Sequence, residues 1–212
     1  MIKVVLFDFD GTLINTNDLI FDSYRTAFRQ VLNRNVDDAE ILSLYGRPLY
    51  ASLMEYGDVG EALYYAYREF NESRHDSLAK AFEGAVEGVN SIKKQGYITG
   101  IVTSKRLELV ERGLKLMNLT DAFEVIITPA DTEKAKPDPE PILCACRKIE
   151  INPCEAIYVG DSEFDLAAGK AAETKIAAVK YSMTSYERLL EFKPDYFIDS
   201  IEDLAGILED DA

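Results

Sequence analysis

The sequence has 212 residues, of which 47% are apolar, enough for one well-buried core with a smaller inserted lobe. Its 38 acidic residues against 23 lysines and arginines give a formal net charge of −15, and the basic residues form no patch, which excludes nucleic acid and anionic membranes as partners. No apolar run approaches the roughly 18 residues of a membrane span, and the N-terminus is too acidic for a signal peptide, so we expect a soluble, cytoplasmic protein.

In chain order, short apolar runs without polar alternation predict buried strands. They cover residues 4–7, 98–103, 125–128, 157–160, 176–179 and 196–198. Between most of them, apolar residues recur at helical spacing and predict helices over residues 86–94, 106–117, 140–149 and 164–172. This alternation predicts an α/β fold, a doubly wound, Rossmann-like parallel sheet covered by helices on both faces.

Residues 16–82 break this alternation. They follow the first strand, contain no convincing strand pattern, and show apolar stripes at helical spacing. We therefore predict a Rossmann-like core made of residues 1–15 and 83–212, and an all-helical cap, residues 16–82, inserted after the first strand.

The most informative segment directly follows the first predicted strand and reads Asp8-Phe9-Asp10-Gly11-Thr12. Ligands of open α/β sheets bind beyond the carboxyl ends of the strands, and alternate positions of an extended chain point the same way, so Asp8 and Asp10 would share that crevice. Two carboxylates repel each other by about 4 kcal/mol at a separation of about 4 Å and an effective dielectric constant of about 20. A metal cation would relieve this repulsion. Gly11 permits a tight turn, and Thr12 can donate a hydrogen bond.

Three further segments carry polar side chains of the same kind. Thr103-Ser104-Lys105 combines a hydroxyl with amides expected at a helix start, which suits phosphate oxygens. Lys136 supplies a cation in a loop before a helix. Asp161 and Asp165 follow another strand and supply the hard oxygen ligands that magnesium prefers. Each residue alone has a structural explanation, such as a helix cap or a surface charge, but their joint occurrence in this order indicates one site.

The four segments resemble the four motifs of the haloacid dehalogenase superfamily. The resemblance covers essentially the whole chain, including a helical cap inserted after the first motif. It implies that Asp8 attacks phosphorus, and that Asp10 protonates the leaving group and then activates water. Thr103 and Lys136 would bind the transferring phosphoryl group. Dehalogenating members lack the second aspartate and attack carbon, so Asp10 favours phosphoryl chemistry.

The resemblance also implies a Mg²⁺ cofactor. Its ligands would be Asp8, Asp161 and the main-chain carbonyl of Asp10, with Asp165 as a further ligand or directly beside the ligands. We expect a phosphate or substrate site formed by Gly11, Thr12, Ser104, Lys105 and Arg47.

Within the superfamily, the sequence is similar to phosphoglycolate phosphatase-like enzymes, and most of all to the bacterial inorganic pyrophosphatases that accompany HPr kinase/phosphorylase. The similarity depends on residues 13–17, 67–71, 75–76, 94–97, 113–116 and 136–141. Arg47 lies between predicted cap helices, where it would reach a second phosphate as a bidentate donor or remain a solvated loop residue. Arg47 and Pro48 depart from the pyrophosphatase pattern. His75, the only histidine, is interpreted as a surface or packing residue, with substrate contact as the alternative.

Pyrophosphate is the expected substrate, and phosphoglycolate or another small phosphate ester is the alternative. A β-phosphoglucomutase-like phosphomutase is a third interpretation. A non-catalytic regulatory phosphate-binding protein is a fourth, against which the complete set of motif residues argues. A response-regulator-like receiver domain also has a doubly wound sheet and a phosphorylatable aspartate. It is disfavoured because such domains lack a helical insert after the first strand. The sequence leaves the question of a protein partner open.

Overall fold

The computed structural model describes residues 1–210, which form two compact units. The first unit contains Met1–Asn15 and the chain from Lys80 onward, and the second contains Thr16–Ala79. The predicted cap segment, 16–82, runs three residues beyond the second unit, because Lys80–Ala81 form a short strand on Ile14–Asn15.

Eight strands are present in the described part of the chain. They are β1 (Val4–Phe7), β2 (Ile14–Asn15), β3 (Lys80–Ala81), β4 (Ile98–Val102), β5 (Val125–Ile127), β6 (Ala156–Gly160), β7 (Lys175–Val179) and β8 (Tyr196–Ile198). Six of them form one sheet in the order β5-β4-β1-β6-β7-β8, and every pairing in it is parallel. The predicted parallel sheet is confirmed, and the predicted strand bounds differ from the observed ones by at most one residue.

The central strand β1 lies between β4 and β6, and all four of its residues are completely buried. Phe7, its last residue, pairs with Ile101 of β4 and with Val159 of β6. The carboxyl ends of these three strands therefore lie side by side, and the loops that follow them meet at one edge of the sheet.

The regular elements of the second unit are all helical. It contains α1 (Asn17–Leu32), α2 (Asp38–Leu44), α3 (Leu49–Met54), a 3-10 turn at Gly57–Val59 and α4 (Gly60–Leu78). Helix α1 packs against α4 through an apolar cluster in which the rings of Tyr24 and Tyr67 meet edge to face, with centroids 4.7 Å apart. The amide of Asn71 donates to the hydroxyl of Ser23 (3.1 Å), so these two buried polar groups are paired with each other across the helices.

Helices flank the sheet of the first unit. They are α5 (Ala85–Lys94), α6 (Leu107–Leu116), α7 (Glu140–Lys148), α8 (Glu163–Ala171), α9 (Tyr186–Leu190) and α10 (Ile201–Asp210). Helix α5 packs with α10, and α8 packs on β6 and β7. None of the helices described in residues 1–210 combines the length and the apolar character that a bilayer span requires.

Candidate active site

The loops after β1, β4 and β6 carry most of the residues singled out in the sequence. The backbone N–H of Asp8 donates to Val159 (2.8 Å), which extends the β1 pairing by one residue, and Thr103 N donates to Ile127 (3.0 Å) in the same way. Asp8, Thr103 and Asp161 are all buried. The sheet thus brings three of the four predicted segments to one edge.

Lys136, from the fourth segment, reaches the same place. Its ammonium donates to Asp8 Oδ1 at 2.8 Å and to Asp165 Oδ1 at 2.6 Å. Burial lowers the pKa of Lys136, but the charges of Asp165 and Asp8 outweigh it and raise the pKa well above its usual value. Lys136 is therefore a buried, permanently charged cation held between two carboxylates.

Burial also dominates the acid equilibrium of Asp8. Desolvation raises the pKa of this carboxyl to about 7, with Lys136 opposing the rise and Asp165 adding to it. A further cation beside Asp8 would stabilise the carboxylate form that a nucleophile requires.

The carboxylate of Asp165 is fully engaged by protein groups. Its Oδ1 accepts from Lys136 and from the hydroxyl of Tyr158 (3.0 Å), and its Oδ2 accepts from the backbone N–H of Ser162 (3.0 Å) and from the Ser162 hydroxyl. Ser162 in turn caps α8, so the helix start fixes Asp165. The geometry makes Asp165 the residue that holds Lys136, and an Asp165 oxygen that bound a metal ion would have to share it with these donors.

Three buried carboxylates fit a hard divalent cation. Asp8, Asp161 and Asp165 each offer an oxygen, and these atoms lie within 4.8 Å of one another. Oxygens bound to one Mg²⁺ at about 2.1 Å are at most about 4.2 Å apart, so small shifts of the carboxylate oxygens would bring all three within reach of one ion. Gly11 contributes to this arrangement, since a Cβ at residue 11 would lie 2.3 Å from Asp161 Oδ2. The missing side chain lets the Asp161 carboxylate lie against the backbone of the first motif.

Asp10 pairs with a lysine that the sequence assigned to phosphate binding. The Lys105 ammonium lies 2.7 Å from Asp10 Oδ1 and 3.0 Å from Oδ2. Asp10 is also more accessible than Asp8, with 22% of its side chain exposed. A cation therefore neighbours the acid that would handle the proton of the leaving group.

The remaining predicted phosphate contacts differ in accessibility. The hydroxyl of Thr103 accepts from Lys105 N (3.1 Å), and Ser104 is exposed. Helix α6 begins at Leu107, so these residues precede its first turn. Thr12 is completely buried, and within residues 1–210 its hydroxyl oxygen has no hydrogen-bond partner.

Arg47 and His75 belong to the second unit. The guanidinium of Arg47 forms an ion pair with Glu55, and His75 is completely buried with its Nδ1 2.9 Å from Asp76. The burial of His75 agrees with a packing role. Substrate contact by Arg47 stays a prediction.

Sequence reasoning missed three hydroxyl groups near the site. Tyr158 lies in the middle of β6, where its hydroxyl is 2.9 Å from the carbonyl of Val102. Tyr181 and Ser182 follow β7 and contact the carbonyls of Thr12 and Asp161, respectively. Two signals were available: a tyrosine in a buried strand requires a partner for its hydroxyl, and residues 180–182 follow a strand of the same parallel sheet.

Taken together, the carboxyl edge of the sheet presents a buried carboxylate, a second and more accessible carboxylate, two lysine cations and a cluster of hard oxygen ligands. Such a set can attack an electrophilic centre, neutralise developing negative charge and protonate a leaving group. Positioning and electrostatic stabilisation of this kind are the main requirements of phosphoryl transfer.

Comparisons with known proteins agree with this chemistry. A sequence model described as haloacid dehalogenase-like hydrolase matches residues 5–179. The pyrophosphatase PpaX of Bacillus thuringiensis is 40% identical over 210 residues, which cover 99% of this chain and 97% of that protein.

Two solved structures share the fold. A haloacid dehalogenase-like family hydrolase from Streptococcus pneumoniae is 21% identical and superposes with a TM-score of 0.87 over 98% of both chains. A hydrolase from Pseudomonas syringae is 21% identical, with a TM-score of 0.86 over 99% of both chains. At this identity, the two structures show a common fold.

Proposed function

Because the chain belongs to the haloacid dehalogenase-like hydrolase family, we propose that it hydrolyses inorganic pyrophosphate with Mg²⁺ through an aspartyl-phosphate on Asp8. Membership confirms the resemblance recognised in the sequence, and the chain is an enzyme of the hydrolase class. The substrate, the metal and the covalent intermediate are parts of the proposal.

The observation that carries the proposal is the environment of Asp8. This buried carboxylate stands at the end of the central strand, with Lys136 at 2.8 Å and Asp161 in the same acidic cluster. Burial excludes bulk water from the nucleophile, and the ammonium of Lys136 would also offset negative charge on a bound phosphoryl group.

In the first step, an oxygen of Asp8 bonds to phosphorus as the bridging P–O bond breaks. Asp10 donates a proton to the departing phosphate oxygen. In the second step, the Asp10 carboxylate takes a proton from water while that water attacks phosphorus, which releases phosphate and restores Asp8. Thr103 and Lys136 hold the transferring group in line for both steps.

A magnesium ion bound by Asp8, Asp161 and the carbonyl of Asp10 would supply charge neutralisation at the transferring phosphoryl group. Asp165 contributes by fixing Lys136, since both of its oxygens are already hydrogen-bonded.

The pairing of Lys105 with Asp10 supports pyrophosphate as substrate. The proton donor must approach the leaving-group oxygen, so the adjacent ammonium lies on the leaving-group side. The leaving group of pyrophosphate is an anionic phosphate, whereas that of a sugar or aryl ester is neutral apart from the bond that breaks. Lys105 therefore favours an anionic leaving group over a sugar or aryl alcohol, and it does not separate pyrophosphate from phosphoglycolate, whose leaving group carries a carboxylate. The name of the Bacillus relative, pyrophosphatase, supports the same substrate.

The decisive experiment measures phosphate release with Mg²⁺ from pyrophosphate, phosphoglycolate, glucose phosphates and an aryl phosphate, and compares kcat/KM. We expect pyrophosphate to exceed each ester by at least about 10-fold, equivalent to about 1.4 kcal/mol of transition-state binding. Preference for phosphoglycolate or another ester would reject the pyrophosphate proposal and retain phosphatase chemistry.

The nucleophile is tested by covalent labelling. Protein quenched with acid during turnover of ³²P-pyrophosphate should carry label in the native enzyme and none in Asp8→Asn. Asp199→Asn is a matched control, because Asp199 is an exposed carboxylate, paired with Lys180, that the proposed mechanism does not use. Normal labelling of Asp8→Asn would reject Asp8 as the nucleophile.

A further inference from the structure

The segment that follows β7 contacts two of the site loops. Tyr181 and Ser182 lie immediately beyond the carboxyl end of that strand, after Val179 and Lys180. They lie outside the four motifs, yet their hydroxyls donate to backbone carbonyls of the loops that follow β1 and β6.

Tyr181 is anchored at both ends of its side chain. Its hydroxyl donates to the carbonyl of Thr12 at 2.7 Å, and its ring lies against Phe82 with a centroid separation of 4.4 Å. Burial and the negative charge of Asp161 raise the pKa of Tyr181, so the hydroxyl stays protonated and remains a donor. The turn that contains Gly11 and Thr12 is thus tied to the β7 segment.

Ser182 performs the same task for the other loop. The backbone N–H of Thr184 donates to Ser182 Oγ at 2.8 Å, which leaves the Ser182 proton free to donate to the carbonyl of Asp161. A hydroxyl that accepts on one side and donates on the other has a fixed orientation. Asp161 is therefore held through its own main chain.

The two anchored loops face each other. A Cβ at residue 11 would be 2.3 Å from Asp161 Oδ2 and 2.8 Å from Oδ1, so the carboxylate lies directly on the Gly11 turn. Adjacent residues of one segment thus hold both sides of this contact, Tyr181 through Thr12 and Ser182 through Asp161.

We propose that Tyr181 and Ser182 are positioning residues that set the placement of the Asp161 carboxylate against the Gly11 turn, and through it the affinity of the acidic cluster for Mg²⁺. The inference rests on the proposed function only in taking Asp161 as a metal ligand. Outer groups that orient metal ligands change metal affinity by about 10- to 100-fold when they are removed. We expect a loss in that range.

The test uses Tyr181→Phe, which keeps the ring against Phe82, and Ser182→Ala. Mg²⁺ binding is titrated by calorimetry and by the rise in unfolding temperature, without substrate. The matched control is Tyr97→Phe, because Tyr97 also donates its hydroxyl to a backbone carbonyl, that of Leu208 (2.9 Å), at the other end of β4.

The expected result is an increase of about 10-fold or more in the Mg²⁺ dissociation constant of Tyr181→Phe and Ser182→Ala, with no change in Tyr97→Phe. Ser182→Thr, which retains a hydroxyl, should restore much of the affinity. Substrate KM measured at saturating Mg²⁺ should stay near that of the native enzyme.

Native Mg²⁺ affinity in both variants would overturn the proposal, as would an equal loss in Tyr97→Phe. Should Tyr181→Phe fail to fold, the comparison of Ser182→Ala with Ser182→Thr decides the question alone. The titration contains no substrate, so a protein that binds Mg²⁺ with the expected variant pattern but does not hydrolyse pyrophosphate would refute the proposed substrate and support this inference.

Discussion

Replacing Gly11 with alanine should weaken Mg²⁺ binding and catalysis far more than it destabilises the fold. Gly11 has φ +80°, a backbone conformation that costs a residue with a Cβ about 1–2 kcal/mol. In addition, the new Cβ would lie 2.3 Å from Asp161 Oδ2, where ordinary contacts begin at 3.4 Å. The Asp161 carboxylate must therefore move by about 1 Å. Misplacement of a catalytic group by about 1 Å can lower a rate by about 10²-fold.

The chain provides a control glycine that has a similar positive φ but no atom near the position of an added Cβ. Gly96 has φ +93°, and nothing lies within 4 Å of a Cβ built there. Gly11→Ala and Gly96→Ala should share the backbone cost, a decrease in unfolding temperature of about 2–8 °C for a domain of this size. Only Gly11→Ala should lose Mg²⁺ affinity.

The assay combines thermal unfolding with and without Mg²⁺ and kcat/KM for phosphate release. We expect Gly11→Ala to lose most of its Mg²⁺-dependent stabilisation and about 10²-fold in kcat/KM, while Gly96→Ala keeps both. If Gly11→Ala binds Mg²⁺ and turns over like Gly96→Ala, then Asp161 does not require its place on the Gly11 turn, and the assignment of the metal site to this contact is wrong.

Three further predictions concern charge and buried hydroxyls. Lys105→Gln should lower kcat/KM for pyrophosphate about 10-fold more than for an aryl phosphate, because it removes the cation beside the leaving group, whereas Lys180→Gln should change neither. Tyr158→Phe should lower the unfolding free energy, measured in urea, by about 1–3 kcal/mol, since buried partners lose a hydrogen bond; an unchanged value would show that they find other partners. The hydrogen bond from Lys148 lowers the pKa of Asp131, so Asp131→Asn should cost about 0.2–1 kcal/mol at pH 7. This cost should fade as the pH falls from about 3.9 through the lowered pKa, and a cost that persists at lower pH would exclude a charge effect.

The sequence by itself determined the elements of the core and the identity of the charged motifs. Strands such as 4–7 and 196–198 were predicted with their observed bounds, because a run of consecutive apolar residues is a local signal, although 4–7 is completely buried and 196–198 only in part. The motif residues could be found because ligands of parallel sheets bind at the carboxyl ends of the strands. Family membership followed from the same residues, and the comparisons bear it out.

Only the tertiary structure decided the strand order and the pairing of the charges. Lys136 is 29 residues from Asp165, Lys105 is 95 residues from Asp10, and Tyr181 is 169 residues from the Thr12 carbonyl that it contacts. The pattern of apolar residues shows which side chains point inward. It does not show which of several lysines and carboxylates at one sheet edge will pair with each other. The partner each group takes depends on distances of a few ångströms, which exist only once the strands have packed in one order.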